Sequence, residues 1–377
     1  MRIGYVGSPE LFLRGAGPIH VMKMCQAMAR LGHSVELILP SYNRRMNIFE
    51  YYGVTPCFKI TTLQSYTNKN SSARHVVHGA FSAIYTRFKR KNFDLILTRN
   101  IVYTYLSTQL FEIPTIYDAH HPLVNKAANL LFSSFKDSKY LLRFSTNSQG
   151  LGNIYLGLGL PKDKLVVAPN GVDLERFEAA LSKDEARRQL GLENQRDIVC
   201  YAGNTYRGRG IELLIDVALR LKEVLFLIVG GLENDIKYYR EIAQKKNAEN
   251  FNLVGFVPHK SVPLYLSSAD LLVIPYTSRM TIQGGTIAAE FTSPIKLFEY
   301  MACCRPIVAT ALPSVKEILE DGENALIVEP DSEDSLYYGI KRALDDRELA
   351  ERLALQASID VKKYTWEERV KKILNGL

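Results

Sequence analysis

Short apolar runs punctuate the chain at regular intervals. In the first half, "RIGYV" (2–6), "SVELIL" (34–39), "DLILT" (94–98), "TIYDA" (115–119) and "LLRFST" (141–146) read as strands, with helix-length segments between most of them. After "KLVVAPNGVD" (164–173) and a charged stretch the rhythm restarts. "DIVCYAG" (197–203), "LFLIVGG" (225–231), "FNLVGFV" (251–257), "DLLVIPY" (270–276), "RPIVAT" (305–310) and "ALIVEP" (325–330) are strands, and helices such as 210–223 and 334–346 separate them. Strands alternating with helices predict parallel sheets covered on both faces, so the chain reads as α/β with two Rossmann-like, doubly wound domains. The expected domains are 1–167 and 168–360, with their boundary in 168–196. The tail "YTWEERVKKIL" predicts a last amphipathic helix in 361–377 that packs back towards the first domain, with Trp366 as its anchor. Ligands of open parallel sheets bind at strand carboxyl ends, and two such sheets facing each other make a cleft.

The bulk numbers agree with this picture. A length of 377 residues suits two domains on a prior of about 150 each. An apolar share of 47% with 23% charged residues describes a globular chain. No run approaches the roughly 20 apolar residues of a membrane span, and "MRIGYVGSPE" enters a strand without a signal pattern, so a cytoplasmic location is expected. The five cysteines (25, 57, 200, 303, 304) are scattered and read as reduced core thiols. No histidine, cysteine and carboxylate grouping has metal-ligand spacing, so no metal is expected. The net charge of +7 is uneven: residues 1–170 carry 20 Lys and Arg against 8 Asp and Glu, and residues 171–377 carry 27 against 32. The halves therefore meet different partners. In the basic half, "TRFKRK" (86–91) follows the apolar segment "HVVHGAFSAIY" (75–85), a pattern that suggests peripheral contact with an anionic membrane surface and an anionic or lipid-linked acceptor. No nucleic-acid-binding motif accompanies the charge, and no nucleic-acid partner is expected.

Two stretches carry candidate phosphate chemistry. "RGAGPIHVMKMCQAMARLGH" (14–33) is a glycine loop feeding a helix, with Pro18 expected at the first helical position. Gly15 and Gly17 would let backbone N–H groups approach a phosphate. A dinucleotide site is disfavoured, because the second strand ends in Pro40 and Ser41 with no carboxylate for a ribose. In "YAGNTYRGRGIELLIDVA" (201–218), a strand runs into a glycine turn at Gly203 and Asn204, then Arg207 and Arg209, whose guanidinium groups suit a diphosphate.

"FTSPIKLFEYMACC" (291–304) raises a question of its own. Ser293 reads as an N-cap, Pro294 as the first helical residue, and Ile295 and Lys296 as the next two. A cation in a first turn opposes the helix dipole unless an anion sits there, and a bound diphosphate would be that anion. Glu299, one turn on, shares the face of Lys296. His20 and His33 read as helix-surface or capping residues, and His121, before Pro122, as a turn residue.

Together, "VAPNGVDLERF" (167–177), "YAGNTYRGRGIELLIDVA", "VGFVPHKSVPLYLSSADLLVIPY" (254–276) and "SPIKLFEYMACCRPIVATALPSVKEIL" (293–319) resemble the retaining glycosyltransferases of the family 4 type, as do, more loosely, the glycine loop and "YDAHH" (117–121). The resemblance implies a GT-B fold, two facing Rossmann-like domains with a donor cleft, and sugar transfer from a nucleotide-sugar donor to a glycan or lipid-linked hydroxyl. It implies retention of configuration, no cofactor and no metal. It assigns Arg209 to the donor diphosphate, Glu299 to the ribose, His120 to the transferred sugar, and the backbone at Phe256 and Val257 to the base. His120, Arg209 and Lys296 are the expected catalytic groups, and Gly15, Gly17, Gly203, Asn204, Arg207, Ser293 and Ile295 complete the expected donor site. Two positions depart from the family pattern: Phe291 stands where a sugar-binding glutamate is frequent, with Glu290 one step out, and Asn204 where an arginine is frequent. Rival readings are a GT-B epimerase or phosphorylase and a non-catalytic nucleotide-sugar binder.

Overall fold

The computed structural model of the protein describes residues 1–12, 15–42, 46–65, 71–178, 181–192, 196–281 and 288–377. The chain forms two compact units, Met1–Asn170 with Trp366–Leu377, and Gly171–Thr365.

The first unit holds a seven-stranded sheet in the order β3-β2-β1-β4-β5-β6-β7. Its strands are β1 (Arg2–Val6), β2 (Ser34–Pro40), β3 (Lys59–Leu63), β4 (Leu95–Thr98), β5 (Thr115–Ala119), β6 (Leu141–Thr146) and β7 (Leu165–Val167). All pairings are parallel. Strand β3 escapes the sequence reading. Its "KITTL" carries only two apolar residues, because an edge strand of half-buried residues needs no continuous apolar run.

The helix that follows β1 spans Ala16–Arg30, so Pro18 is its third residue and not its first. Gly15 caps it in an extended conformation, and every residue from Val21 to Met28 is buried. A helix buried nearly all round has no polar face on which to display His20, which is 2% exposed; the expectation of a surface histidine is wrong for that reason. The last helix, Trp366–Leu374, packs on Ala16–Arg30 within this unit. Trp366 meets the His20 ring edge-on at 5.3 Å.

The second unit holds a six-stranded parallel sheet, order β10-β9-β8-β11-β12-β13. These are β8 (Ile198–Ala202), β9 (Leu225–Val229), β10 (Phe251–Gly255), β11 (Leu271–Ile274), β12 (Ile307–Thr310) and β13 (Leu326–Val328). In each sheet the chain order reverses beside the first strand, between β1 and β4 and between β8 and β11. Those are the switch points where open α/β sheets bind ligands. Cys25 and Cys200 are buried, whereas Cys57 and Cys304 are exposed and are not core thiols. Among the described residues no helix is long and apolar enough to cross a membrane.

Candidate active site

At the second unit's switch point, β8 runs out into Gly203 and β11 into Pro275 and Tyr276. The helix Ile295–Ala302 starts beside them. Its N-cap is Pro294, with ψ of 128°, and no side chain caps it. Ser293 is therefore not the cap that the sequence suggested. The extended Pro294 delays the first helical residue to Ile295, which puts the Ser293 hydroxyl one position too early for the first free N–H groups. Lys296 is the second helical residue.

The Lys296 side chain runs over the strand end. Its Nζ is buried without a hydrogen-bond partner, 3.7 Å from the Tyr201 ring centroid and 5.4 Å from that of Tyr276. Arg209, 8% exposed, also lies over the Tyr276 ring, at 4.7 Å from its centroid. Its Nη1 donates to Met280 Sδ at 3.0 Å, and its Nε is buried without a partner. Among the described residues, the rings of Tyr201 and Tyr276 and the Met280 sulfur are what face these two basic groups, at a strength well below that of a carboxylate. Burial pushes the Lys296 amine well below the usual lysine range, Arg209 adds to this, and Glu299 opposes it.

Glycine is required here. Gly203 has φ of 148°, and a Cβ on it would lie 2.1 Å from Lys296 Nζ. The Lys296 amine occupies the space that a side chain would fill. Gly210, at the start of the helix Ile211–Arg220, has φ of 74°, and a Cβ would lie 1.7 Å from Pro275 O.

Glu299 is buried and does not pair with Lys296. His259 Nε2 approaches its Oε1 at 2.8 Å and Arg176 Nη1 lies 3.8 Å from the same oxygen. Arg176 Nη2 also donates to His259 O at 2.6 Å. Burial pushes the Glu299 carboxyl up, but His259, Arg176 and Lys296 outweigh it and hold the group below its ordinary value. The sequence reading missed His259 and Arg176. Each lies inside a quoted motif, in "GFVPHK" and "VDLERF", but nothing in the chain says that the two motifs meet.

The remaining expected residues divide. Asn204 is half-exposed at the loop start, and its carbonyl accepts from the Tyr201 hydroxyl. Ser293 is buried and Ile295 half-buried at the helix start. Phe256, 43% exposed, and Val257 follow Gly255 on the edge strand β10. Arg207 is exposed, 5.5 Å from the Tyr238 ring, and shares no contact with Arg209 or Lys296 among the described residues. Phe291 is buried and Glu290 exposed.

In the first unit, His120 directly follows β5. Its Nε2 lies 3.0 Å from Asp118 Oδ2, and His20 Nε2 lies 3.1 Å from the same oxygen. Arg369 Nη2 donates to Oδ1 at 2.6 Å. Burial pushes the Asp118 carboxyl up, yet Arg369 and His120 hold it well below the usual range. Burial, then Arg99, pushes His120 well below the usual histidine value, so a neutral ring donates Nε2–H to Asp118 and leaves Nδ1 as an acceptor. One ligand atom each from His20, Asp118 and His120 fall within 4.8 Å of one another, but Arg369 already meets the charge of that carboxylate.

Two doubly wound parallel sheets, one with a glycine-walled pair of basic residues at its switch point, are the architecture of the GT-B class. The family profile for Glycosyltransferase Family 4 matches residues 17–176, and that for Glycosyl transferases group 1 matches residues 182–359. The chain belongs to these group 1, family 4 type glycosyltransferases. It is 23% identical to an uncharacterized glycosyltransferase of Methanocaldococcus jannaschii, over 96% of this chain and 93% of that one. An alpha-D-kanosaminyltransferase of Streptomyces kanamyceticus is 29% identical over 46% of this chain and 43% of its own. Among solved structures, Anabaena HepE in complex with UDP and glucose superposes with a TM-score of 0.75 at 17% identity, over the whole of both chains. Sucrose-phosphate synthase of Thermosynechococcus elongatus gives 0.77 at 19% identity, over 98% of this chain and 96% of that one.

Proposed function

We propose that this glycosyltransferase moves a sugar from a nucleoside-diphosphate sugar to a hydroxyl of a glycan or lipid-linked acceptor, with retention at the anomeric carbon and without a divalent metal. One observation carries the reading: Lys296 Nζ is buried without a partner beside Arg209, and among the described residues no carboxylate is in contact with either. Such a pair is incomplete without an anion, and a diphosphate supplies the charge and the acceptor oxygens. The UDP bound by HepE is of the same chemical class.

In this reading the acceptor hydroxyl attacks the face from which the diphosphate departs. The anomeric bond to the diphosphate oxygen breaks as the new C–O bond forms, and a diphosphate oxygen takes the hydroxyl proton. Lys296 and Arg209 stabilise the leaving charge, which is where fixed positive groups lower the barrier most. Glu299, engaged at Oε1, keeps Oε2 for ribose hydroxyls. His120 Nδ1 suits a hydroxyl of the transferred sugar. A peripheral membrane role is part of the proposal and rests on the helix Ser71–Phe88, where Val76, Phe81, Ile84 and Phe88 are exposed beside Arg87, Lys89 and Lys91.

The test is incubation with a panel of nucleoside-diphosphate sugars in EDTA, followed by nucleotide and product analysis. Nucleoside diphosphate with a glycoside of unchanged anomeric configuration is expected. An inverted product, or activity lost on chelation and restored by Mg²⁺, contradicts the reading.

A further inference from the structure

The ladder between β8 and β11 ends one rung early, and a side chain completes it. β9 pairs with β8 along its whole length, from Ile198 to Ala202. β11 pairs with β8 at Val199 and Cys200, and from there runs beside β12 as far as Ile274. Gly203 N is spent on the β9 side, where it donates to Val229 O at 2.8 Å. Backbone groups of successive strand residues face opposite edges, so those of Ala202 face the edge that β11 has left. Buried backbone groups need partners. The Tyr300 hydroxyl serves both: it accepts from Ala202 N at 2.7 Å and donates to Ala202 O at 3.3 Å. Tyr300 is fully buried, and burial pushes its phenol well above the ordinary tyrosine value, so the hydroxyl keeps its proton for this double role.

Tyr300 lies on the helix Ile295–Ala302, four residues after Lys296, so the two project from one face. That face meets consecutive residues of the strand end. Lys296 Nζ lies over the Tyr201 ring and against Gly203, and the Tyr300 hydroxyl grips Ala202 between them. Two further anchors of the helix lie elsewhere: Phe298 packs on Tyr364 with ring centroids 5.1 Å apart, and His259 holds Glu299 through Oε1. Neither of those partners is on β8. A binding group has to be held within about 0.5 Å of its working position, and a flexible four-carbon stem does not achieve that unaided.

We propose that Tyr300 is a positioning residue for the donor site: its hydroxyl replaces the rung missing at Ala202, fixes the helix against the end of β8, and so holds the Lys296 amine over Gly203. That Lys296 meets a diphosphate rests on the glycosyltransferase reading; that Tyr300 sets the place of the amine does not. Glu299 has its own anchor in His259, so the grip on Ala202 bears on the phosphates and not on the ribose.

The experiment compares wild type, Tyr300→Phe and Phe298→Leu as full chains. Binding of UDP and of uridine is read by calorimetry. The Lys296 ε-methylene signals, assigned by their loss in Lys296→Ala, show by their ring-current shift how close the amine stays to the Tyr201 ring. Tyr300→Phe should bind UDP at least about fivefold more weakly, keep uridine within about twofold, and lose much of the shift in the empty protein. Phe298→Leu loosens the helix on its other side and should lower the melting temperature without either effect. Where Lys296→Ala itself weakens UDP binding, unchanged UDP affinity in Tyr300→Phe, an equal loss of UDP and uridine, or the same losses in Phe298→Leu overturn the proposal. So does a retained ring-current shift, or a Tyr300→Phe chain that no longer folds, since the hydroxyl then serves the fold before the site. If Lys296→Ala binds UDP like wild type, the donor reading fails, and the ring-current shift still decides whether Tyr300 holds the amine.

Discussion

At the residue scale, the proposed donor site depends on a lysine fitted where a side chain is missing. A methyl group at position 203 would overlap the Lys296 ammonium and put a non-glycine residue at φ of 148°. Gly203→Ala should therefore displace Lys296 and weaken nucleoside diphosphate binding by at least about tenfold, with a folding cost of about 1–3 kcal/mol from the strained backbone. Titration with UDP beside thermal melts checks this, and unchanged affinity would mean that Lys296 is not a ligand. Lys296 and Glu299 were legible in the sequence because a cation in a first helical turn breaks a local electrostatic rule. The residues that complete their surroundings were not. Tyr201 and Tyr276 read as strand core, and His259 reads as a loop residue, since their roles arise only when separate strand ends and loops converge. Ser293 and Pro18 were misplaced because a proline near a helix start fixes one φ but not the residue at which helical ψ begins.

At the element scale, the parallel order of both sheets followed from strand–helix alternation, and β3 was lost for want of an apolar run. The buried faces of the first unit carry a titration consequence. Burial first, and neighbouring charges after it, lower His20, His75 and His78 to about 4. The folded protein keeps these rings neutral while the unfolded chain protonates them near pH 6.5. Their contribution to stability is complete above pH 6.5 and is lost as pH falls towards 4. The melting temperature should thus fall from pH 6.5 to 4.5, before most carboxylates titrate. A flat profile across that range would show that the rings are charged or exposed. The same buried region holds the Asp118–Arg369 pair that fastens the Trp366–Leu374 helix to β5, a contact across 251 positions that no local pattern announces.

At the scale of the whole molecule, the uneven charge gains a location. The basic excess of residues 1–170 includes Arg87, Lys89 and Lys91 beside the exposed Phe81 and Phe88, and residues 71–93 contain no acidic residue. Basic groups near an anionic bilayer contribute about 1 kcal/mol each, and the two phenylalanines add apolar insertion. Sedimentation with phosphatidylglycerol vesicles should exceed that with phosphatidylcholine vesicles, and the double change Phe81→Ser, Phe88→Ser should reduce it. Equal sedimentation with both lipids removes the membrane proposal and leaves the donor site untouched.

The central claim is that the Lys296 and Arg209 pair awaits a diphosphate. Calorimetric titration of wild type, Lys296→Ala and Glu299→Gln with uridine or guanosine and with the matching nucleoside diphosphate, all in EDTA, tests it most directly. Loss of a charge-assisted hydrogen bond should cost about 1.5–3 kcal/mol. Lys296→Ala should lose that amount for the diphosphate and almost nothing for the nucleoside, whereas Glu299→Gln should weaken both. The empty Lys296→Ala protein should melt at or above the wild-type temperature, because it no longer buries an unpaired amine. Diphosphate affinity equal to wild type in Lys296→Ala, or a loss shared equally by nucleoside and diphosphate, would contradict the account.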